Sequence, residues 1–259
     1  MLQFFIKCVC IILLISGLTG CVTTVEGGGN QNASPERAVR SYVQLGFGYL
    51  QVSNRDQARV NFRKALEIDK NSVEANEGMA LLYQLDGENK LAEDFFKASI
   101  KADENFARVR NNYGNFLYLH ERYEEAFVQF EVASQDLSYD RRPVALVNLG
   151  RTALKLGNVD RAEALFEHAL GLEPKMLSAL EELAELKFNK QEYALAKSSI
   201  DKYGELSKHS ARTLWLGIRL ERIFGNRDKE ASYGLALKNL HPYSQEYLEY
   251  KQSLPENRR

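Results

Sequence analysis

"RNNYGNFLYLHERYEEAFVQFEVA", Arg110 to Ala133, carries two helical patterns joined by a short polar break. Apolar residues recur at three and four positions rather than two, which is the period of a helix and not of a strand. Gly114 and Ala126 stand twelve residues apart, and Phe130 follows Ala126 by four. A small residue on each of two neighbouring helices lets them approach closely, and an aromatic four residues on fills the cavity beside the contact. The stretch therefore reads as a helical hairpin with its packing contact written into it.

The same pattern repeats in both directions. Gly46, Ala80, Gly114, Gly150, Ala184 and Gly217 are separated by 34, 34, 36, 34 and 33 residues. A large apolar residue precedes each: Leu45, Met79, Tyr113, Leu149, Leu183 and Leu216. Twelve residues after the first five stand Ala58, Ala92, Ala126, Ala162 and Ala196, and four further come Phe62, Phe96, Phe130, Phe166 and Ile200. Ala65, Ser99, Ala133 and Ala169 follow three later, with Tyr203 as the exception in repeat five. This resembles the tetratricopeptide repeat, a 34-residue helix–turn–helix unit. The resemblance implies an all-α, right-handed superhelical solenoid of about six repeats, near 39–72, 73–106, 107–142, 143–176, 177–209 and 210–243. Repeat six reads as degenerate, because Ala231 comes fourteen residues after Gly217, and terminal repeats are often atypical. Ser34-Pro35 supplies an N-cap and a first-turn proline for the opening helix.

Composition narrows the function. The 259 residues carry a formal net charge of −1, with charges of mixed sign and no basic block, which argues against nucleic acid as a partner. The four histidines, His120, His168, His209 and His241, fall in different repeats at no metal-ligand spacing. There is no metalloprotease helix motif, phosphate-cradling glycine loop or nucleophile elbow. No catalytic residue, metal, cofactor or small-molecule substrate is expected; the acidic pairs Glu124-Glu125 and Glu181-Glu182 read as solvated helix faces.

The N-terminus supplies an address. Lys7 precedes an apolar run from Val9 to Leu18, too short for a membrane-spanning helix of about 20 residues and proportioned like a secretory signal. Leu18-Thr19-Gly20-Cys21 resembles the lipobox of bacterial lipoproteins. That resemblance implies cleavage after residue 20 and acylation of Cys21, with Val22 rather than Asp next to it favouring outer-membrane sorting. Residues 22–33 are polar and Gly-rich and read as a flexible tether with a reach of roughly 20 Å. The expected organisation is a signal peptide over 1–20, lipidated Cys21 and tether over 21–33, the solenoid over 34–252 and a disordered tail over 253–259. With Cys8 and Cys10 removed and Cys21 acylated, no disulfide remains, and a domain of this size is large enough to be stabilised by its apolar core alone.

Binding is the function left. In tetratricopeptide solenoids the inner helices line a concave groove at positions two, five, nine and twelve of each unit. Repeat one offers Arg40, Val43, Phe47 and Leu50 there; repeat two offers Glu74, Glu77, Leu81 and Gln84; repeat three offers Arg108, Asn111, Asn115 and Tyr118. Val43 and Phe47 replace the Lys-Asn pair with which some family members clamp a terminal carboxylate. The expected partner groove is therefore Val43, Phe47, Leu50, Leu81, Asn111, Asn115 and Tyr118, suited to an amphipathic or extended segment with apolar anchors.

Longer strings resemble one subfamily more closely. "YVQLGFGYLQ" at 42–51, the segment from Asn111 to Phe127, "ASQD" at 133–136 and the segment from Leu214 to Tyr247 look like the type IV pilus biogenesis lipoproteins of the PilF/PilW kind. The resemblance implies a pilotin on the periplasmic face of a Gram-negative outer membrane. Its partners would be the pilus secretin subunit, which it helps to localise and multimerise, and the lipid that takes its acyl chains. A repeat scaffold for another envelope assembly, such as cell-wall synthesis or a different secretion system, would have the same anchor and repeats.

Overall fold

The structure, a computed structural model, describes residues 34–254. Cys21, the proposed signal and the tether lie outside the described residues, as do 255–259. Thirteen helices and no strand occur among the described residues. Six pairs follow in order: α1 (Pro35–Gln51) with α2 (Arg55–Ile68), α3 (Val73–Leu85) with α4 (Asn89–Ala102), and α5 (Ala107–Leu119) with α6 (Tyr123–Gln135). Then come α7 (Arg142–Lys155) with α8 (Val159–Leu172), α9 (Leu177–Asn189) with α10 (Tyr193–Leu206), and α11 (Ala211–Ile223) with α12 (Arg227–Leu240). A short α13 (Gln245–Gln252) ends the series. Helices from Val39 onward form one compact unit; of the preceding unit only Ser34–Ala38 is described, where the Ser34 hydroxyl accepts from the Arg37 amide at 3.3 Å.

Each pair is closed by the same turn. Ser53, Gly87, Glu121, Gly157, Gln191 and Gly225 all have φ between 58° and 78°. The amide of the next residue reaches back five positions, as from Asn54 to Tyr49 (2.8 Å), Arg122 to Leu117 (3.0 Å) and Asn226 to Glu221 (2.9 Å). This is the Schellman arrangement, which satisfies the last helical carbonyls as the chain reverses. The residue that makes it also opens the following helix; Asn54 and Asn226 then accept from the amides of Gln57 and Lys229.

The packing contact read from Gly114 and Phe130 is present. A methyl group on Gly114 would lie 2.7 Å from Phe130 Cε1, and one on Gly150 would lie 2.5 Å from Phe166 Cε1. Phe62, Phe96, Phe130, Phe166 and Ile200 are all buried, as are Ala58, Ala92, Ala126, Ala162, Ala196, Ala80 and Ala184. The rings also meet the next repeat: Phe62 clusters with Met79 and Leu82, and Phe96 packs 5.4 Å from Tyr113 and 5.7 Å from Phe116. One residue thus joins two helices of its own repeat and the first helix of the next.

Repeat six keeps the sixteen-residue spacing after all. Tyr233 stands against Gly217, where an added methyl would be 2.9 Å from its ring. What changes is the position twelve after Gly217, occupied by Lys229 rather than by a small residue; Ala231 is not its equivalent. Lys229 pairs with Asp201 at 3.0 Å, and Lys197 pairs with the buried carboxylate of Glu221. Tyr203, the exception in repeat five, stacks on His209 with centroids 5.6 Å apart. The last seam therefore adds charge pairs and aromatic stacking to its apolar cluster of Ala184, Ala196, Ile200, Leu216 and Leu220. Beyond it, Tyr247 and Tyr250 of α13 pack on Leu214, Ile218 and Leu237. Ser253 is tied to this end by Arg222, whose guanidinium donates to its hydroxyl at 2.9 Å, so helix-linked structure extends one residue past 252.

The 36-residue interval is absorbed between α6 and α7. The Asp136 carboxylate accepts from the amide and hydroxyl of Ser138, and Tyr139 folds back onto Ala107, Ala133 and Ala145.

Candidate functional site: the inner helix faces

The first helices of successive pairs present a ladder of polar contacts to one another. Glu77 of α3 is 1% exposed and accepts from Arg108 Nε and Nη2 of α5 at 2.9 and 2.6 Å, and from Asn112 at 2.7 Å. Burial pushes its carboxyl pKa up, and the bonds from Arg108 and Asn112 pull against that. Asn148 of α7 donates to Asn111 of α5 at 3.1 Å. Glu182 of α9 accepts from Arg151 of α7 and Arg212 of α11, both at 3.0 Å, and Arg219 reaches Glu185 at 2.9 Å.

This ladder corrects the groove read from position numbers. Position five is covered by the neighbouring first helix, so Val43, Glu77 and Asn111 are all buried. Val43 packs with Ala65 and Ala75 and offers a partner nothing. Phe47 and Leu50 are half-buried against the cluster of Ala58, Phe62, Met79 and Leu82. The Phe47 ring stands edge-on to Phe62 at 5.1 Å with the Arg108 guanidinium 5.3 Å above it. Truncating Phe47 would thus remove core packing along with surface. Leu81 is likewise half-buried against the core of repeats two and three. Asn115 and Tyr118 are the expected groove residues that line an open pocket, with Leu119, Phe130, Asn148 and Arg151.

A second surface was not foreseen. In repeats two to six, the residue before the small helix residue is covered by the preceding pair: Met79, Tyr113, Leu149, Leu183 and Leu216 are at most 9% exposed. Among the described residues no pair precedes α1, and Leu45 is 50% and Val52 72% exposed. Ser41, Gln44, Leu45, Gly48, Tyr49 and Val52 line one open helix face. The sequence signal for it is Leu45 and Val52, seven residues apart on one face of the first helix of the repeat series.

Among the described residues no helix is long and apolar enough to cross a membrane, and no group of three or more His, Cys, Asp or Glu side chains could hold a metal ion.

Comparison with known proteins places this architecture. Models of the tetratricopeptide repeat match residues 39–72 and 147–203. The type IV pilus assembly protein PilF of Pseudomonas aeruginosa is 41% identical over 251 residues, 95% of this chain and 98% of that protein. The chain belongs to the PilF family. A solved structure of the P. aeruginosa protein matches with a TM-score of 0.80 over 85% of this chain and 99% of that one. PilW, described as a widely conserved type IV pilus biogenesis factor, is 27% identical with a TM-score of 0.73, covering 83% of this chain and 98% of its own. PilF-family membership thus accounts for the all-helical repeat fold seen here.

Proposed function

We propose that this chain is a pilotin: a lipoprotein held at the outer membrane through acylated Cys21, which binds subunits of a type IV pilus secretin and promotes their localisation and multimerisation. The likeness to PilF along nearly the whole chain carries the reading. The lipobox and the Gly-rich tether fit it, since two or more acyl chains are needed for stable anchoring.

The open face of α1 is the surface best suited to the secretin. Everywhere else in the solenoid the equivalent face receives a helix bearing small and bulky apolar residues, as α2 brings Ala58, Phe62 and Ala65 to α3. An amphipathic helix of the partner with such a stripe would continue the stack. A head-to-tail copy of this chain would not serve, because its last pair is already covered by Tyr247 and Tyr250 of α13. Exposed apolar residues of this kind mark interaction sites when they cluster.

The test combines location with assembly. Cys21→Ser should abolish labelled palmitate incorporation and outer-membrane fractionation. Leu45→Glu with Val52→Glu should leave lipidation, location and helical content intact while SDS-resistant secretin multimers and twitching are lost. Normal multimers in the double variant would move the working surface elsewhere; affinity capture from solubilised membranes that retrieves another envelope assembly and no secretin would overturn the pilotin reading.

A further inference from the structure

The two ends of the helix series match each other. At the first seam, Val43 and Phe47 of α1 and Phe62, Ala65 and Leu66 of α2 cluster with Ala75, Met79 and Leu82 of α3. Counted from the small residue of each first helix, pair six carries Leu214, Ile218, Tyr233, Ala236 and Leu237 at the places of those first five. Leu214, Ile218 and Leu237 are at most 2% exposed, and Tyr233 and Ala236 pack against them. At the other end, Ser41, Leu45 and Gly48 of α1 stand at the places of Ala75, Met79 and Leu82. They lie on the open face of α1, with nothing near a prospective methyl group on Gly48. Pair six thus offers an apolar face in the register of pair one, and α1 offers the face that would receive it.

What stands between the two ends is α13. Tyr247 and Tyr250 cover Leu214, Ile218 and Leu237. The Tyr250 hydroxyl fills the space over Gly234, and its ring stands edge-on to Trp215 with centroids 6.3 Å apart. The Arg222 guanidinium lies 5.7 Å from the centre of the same ring and donates to Ser253 at 2.9 Å. The cover is slight. None of the eight residues of α13 is buried, whereas the first helices of the six pairs have at least 13 residues and bury some of them in every case.

We propose that α13 is an autoinhibitory plug: it fills the seat that α1 of a second copy would take, and its release lets chains join head to tail. The joint would repeat the contact between pairs one and two. Such an interface is heterologous, and without a rotation that closes a ring it runs on as an open chain. While α13 is seated, α1 stays available to another protein. The plug concerns the same face as the pilotin reading but does not rest on it.

Sedimentation of the purified full chain in detergent solution, over a range of concentrations, reads the outcome. The parent protein should stay monomeric. Tyr247→Ala with Tyr250→Ala should keep its helical content and show a mass that rises with concentration beyond the dimer. Adding Leu45→Glu and Val52→Glu to that chain should return it to the monomer. A folded tyrosine variant that stays monomeric overturns the proposal, as does association that survives the two α1 changes or a parent chain that already associates through α1. Glu249, whose side chain accepts from Gln245 of its own helix at 3.4 Å, supplies a second route. Glu249→Pro breaks α13 in mid-helix and leaves the side chains of the six pairs unchanged. Should the tyrosine variant not fold, a monomeric Glu249→Pro chain overturns the proposal alone. No secretin enters these measurements, so the plug and the pilotin reading fail separately.

Discussion

Arg108 holds Glu77 across the seam between repeats two and three, with Nε and Nη2 at 2.9 and 2.6 Å from one carboxylate oxygen. Glu77 is 1% exposed, while the Arg108 side chain keeps 41% of its surface. A buried ion pair of this sort sets helix register more than it adds net stability, but removing one member leaves a bare charge inside. Arg108→Ala should therefore destabilise the protein by about 2 kcal/mol, below the roughly 3–5 kcal/mol of a fully buried pair because Arg108 is partly in water. Burial already raises the Glu77 carboxyl pKa, and without Arg108 it would rise further. A raised pKa means stability that is present at low pH and lost as pH rises, so the deficit should shrink on acidification. Thermal melts of Arg108→Ala at several pH values would show it; a deficit that is constant or grows as pH falls contradicts the account.

Glu93 behaves in the opposite sense. Its carboxylate accepts from Arg122 at 2.9 and 3.0 Å and from Tyr113 at 3.0 Å, and pairs with Lys97 at 2.7 Å. The bonds from Arg122 foremost bring its pKa down to about 2. A lowered pKa gives stability that is present above the ordinary value of 4.5 and lost as pH falls toward 2. Glu93→Gln should lower the thermal midpoint at pH 7, and the gap to the parent protein should close on acidification between those values. A gap unchanged down to pH 2 would detach Glu93 from acid stability.

Gly114→Leu should lower the thermal midpoint by several degrees. The first added carbon alone would stand 2.7 Å from Phe130, and overpacking of this kind costs about 1–3 kcal/mol. An unaltered midpoint would mean that the two helices can separate without cost.

The six reversal turns make a matched series. Gly157 lies at φ 78° with nothing near a prospective methyl group, so Gly157→Ala tests backbone conformation alone and should cost about 1 kcal/mol. Glu121 occupies the equivalent position at φ 59°. Glu121→Gly should stabilise by a smaller amount, because glycine relieves the left-handed strain but loosens the unfolded chain. Urea unfolding of the two variants should move in opposite directions; equal shifts of the same sign would refute the assignment.

How much of this was legible beforehand depends on the distance over which each feature acts. The sixteen-residue spacing from Gly46 to Phe62, and its five later copies, is a contact within one helical hairpin. Both partners and the turn between them lie in a single stretch of chain, so helical period and residue size alone determined it. Contacts across the seams, some 30 residues apart, depended on how one hairpin sits on the next. Position numbers placed Val43 and Asn111 in an open groove, whereas the neighbouring first helix covers both. Repeat six read as degenerate because Ala231 came two residues late, whereas Lys229 at the regular position reaches Asp201 and Glu221. Which helices pair, where they turn and which residues weld each pair can be read from the residue spacing, since those contacts are local. Which faces stay open to a partner cannot, since that rests on side-chain length and charge meeting across helices that the chain order does not bring together.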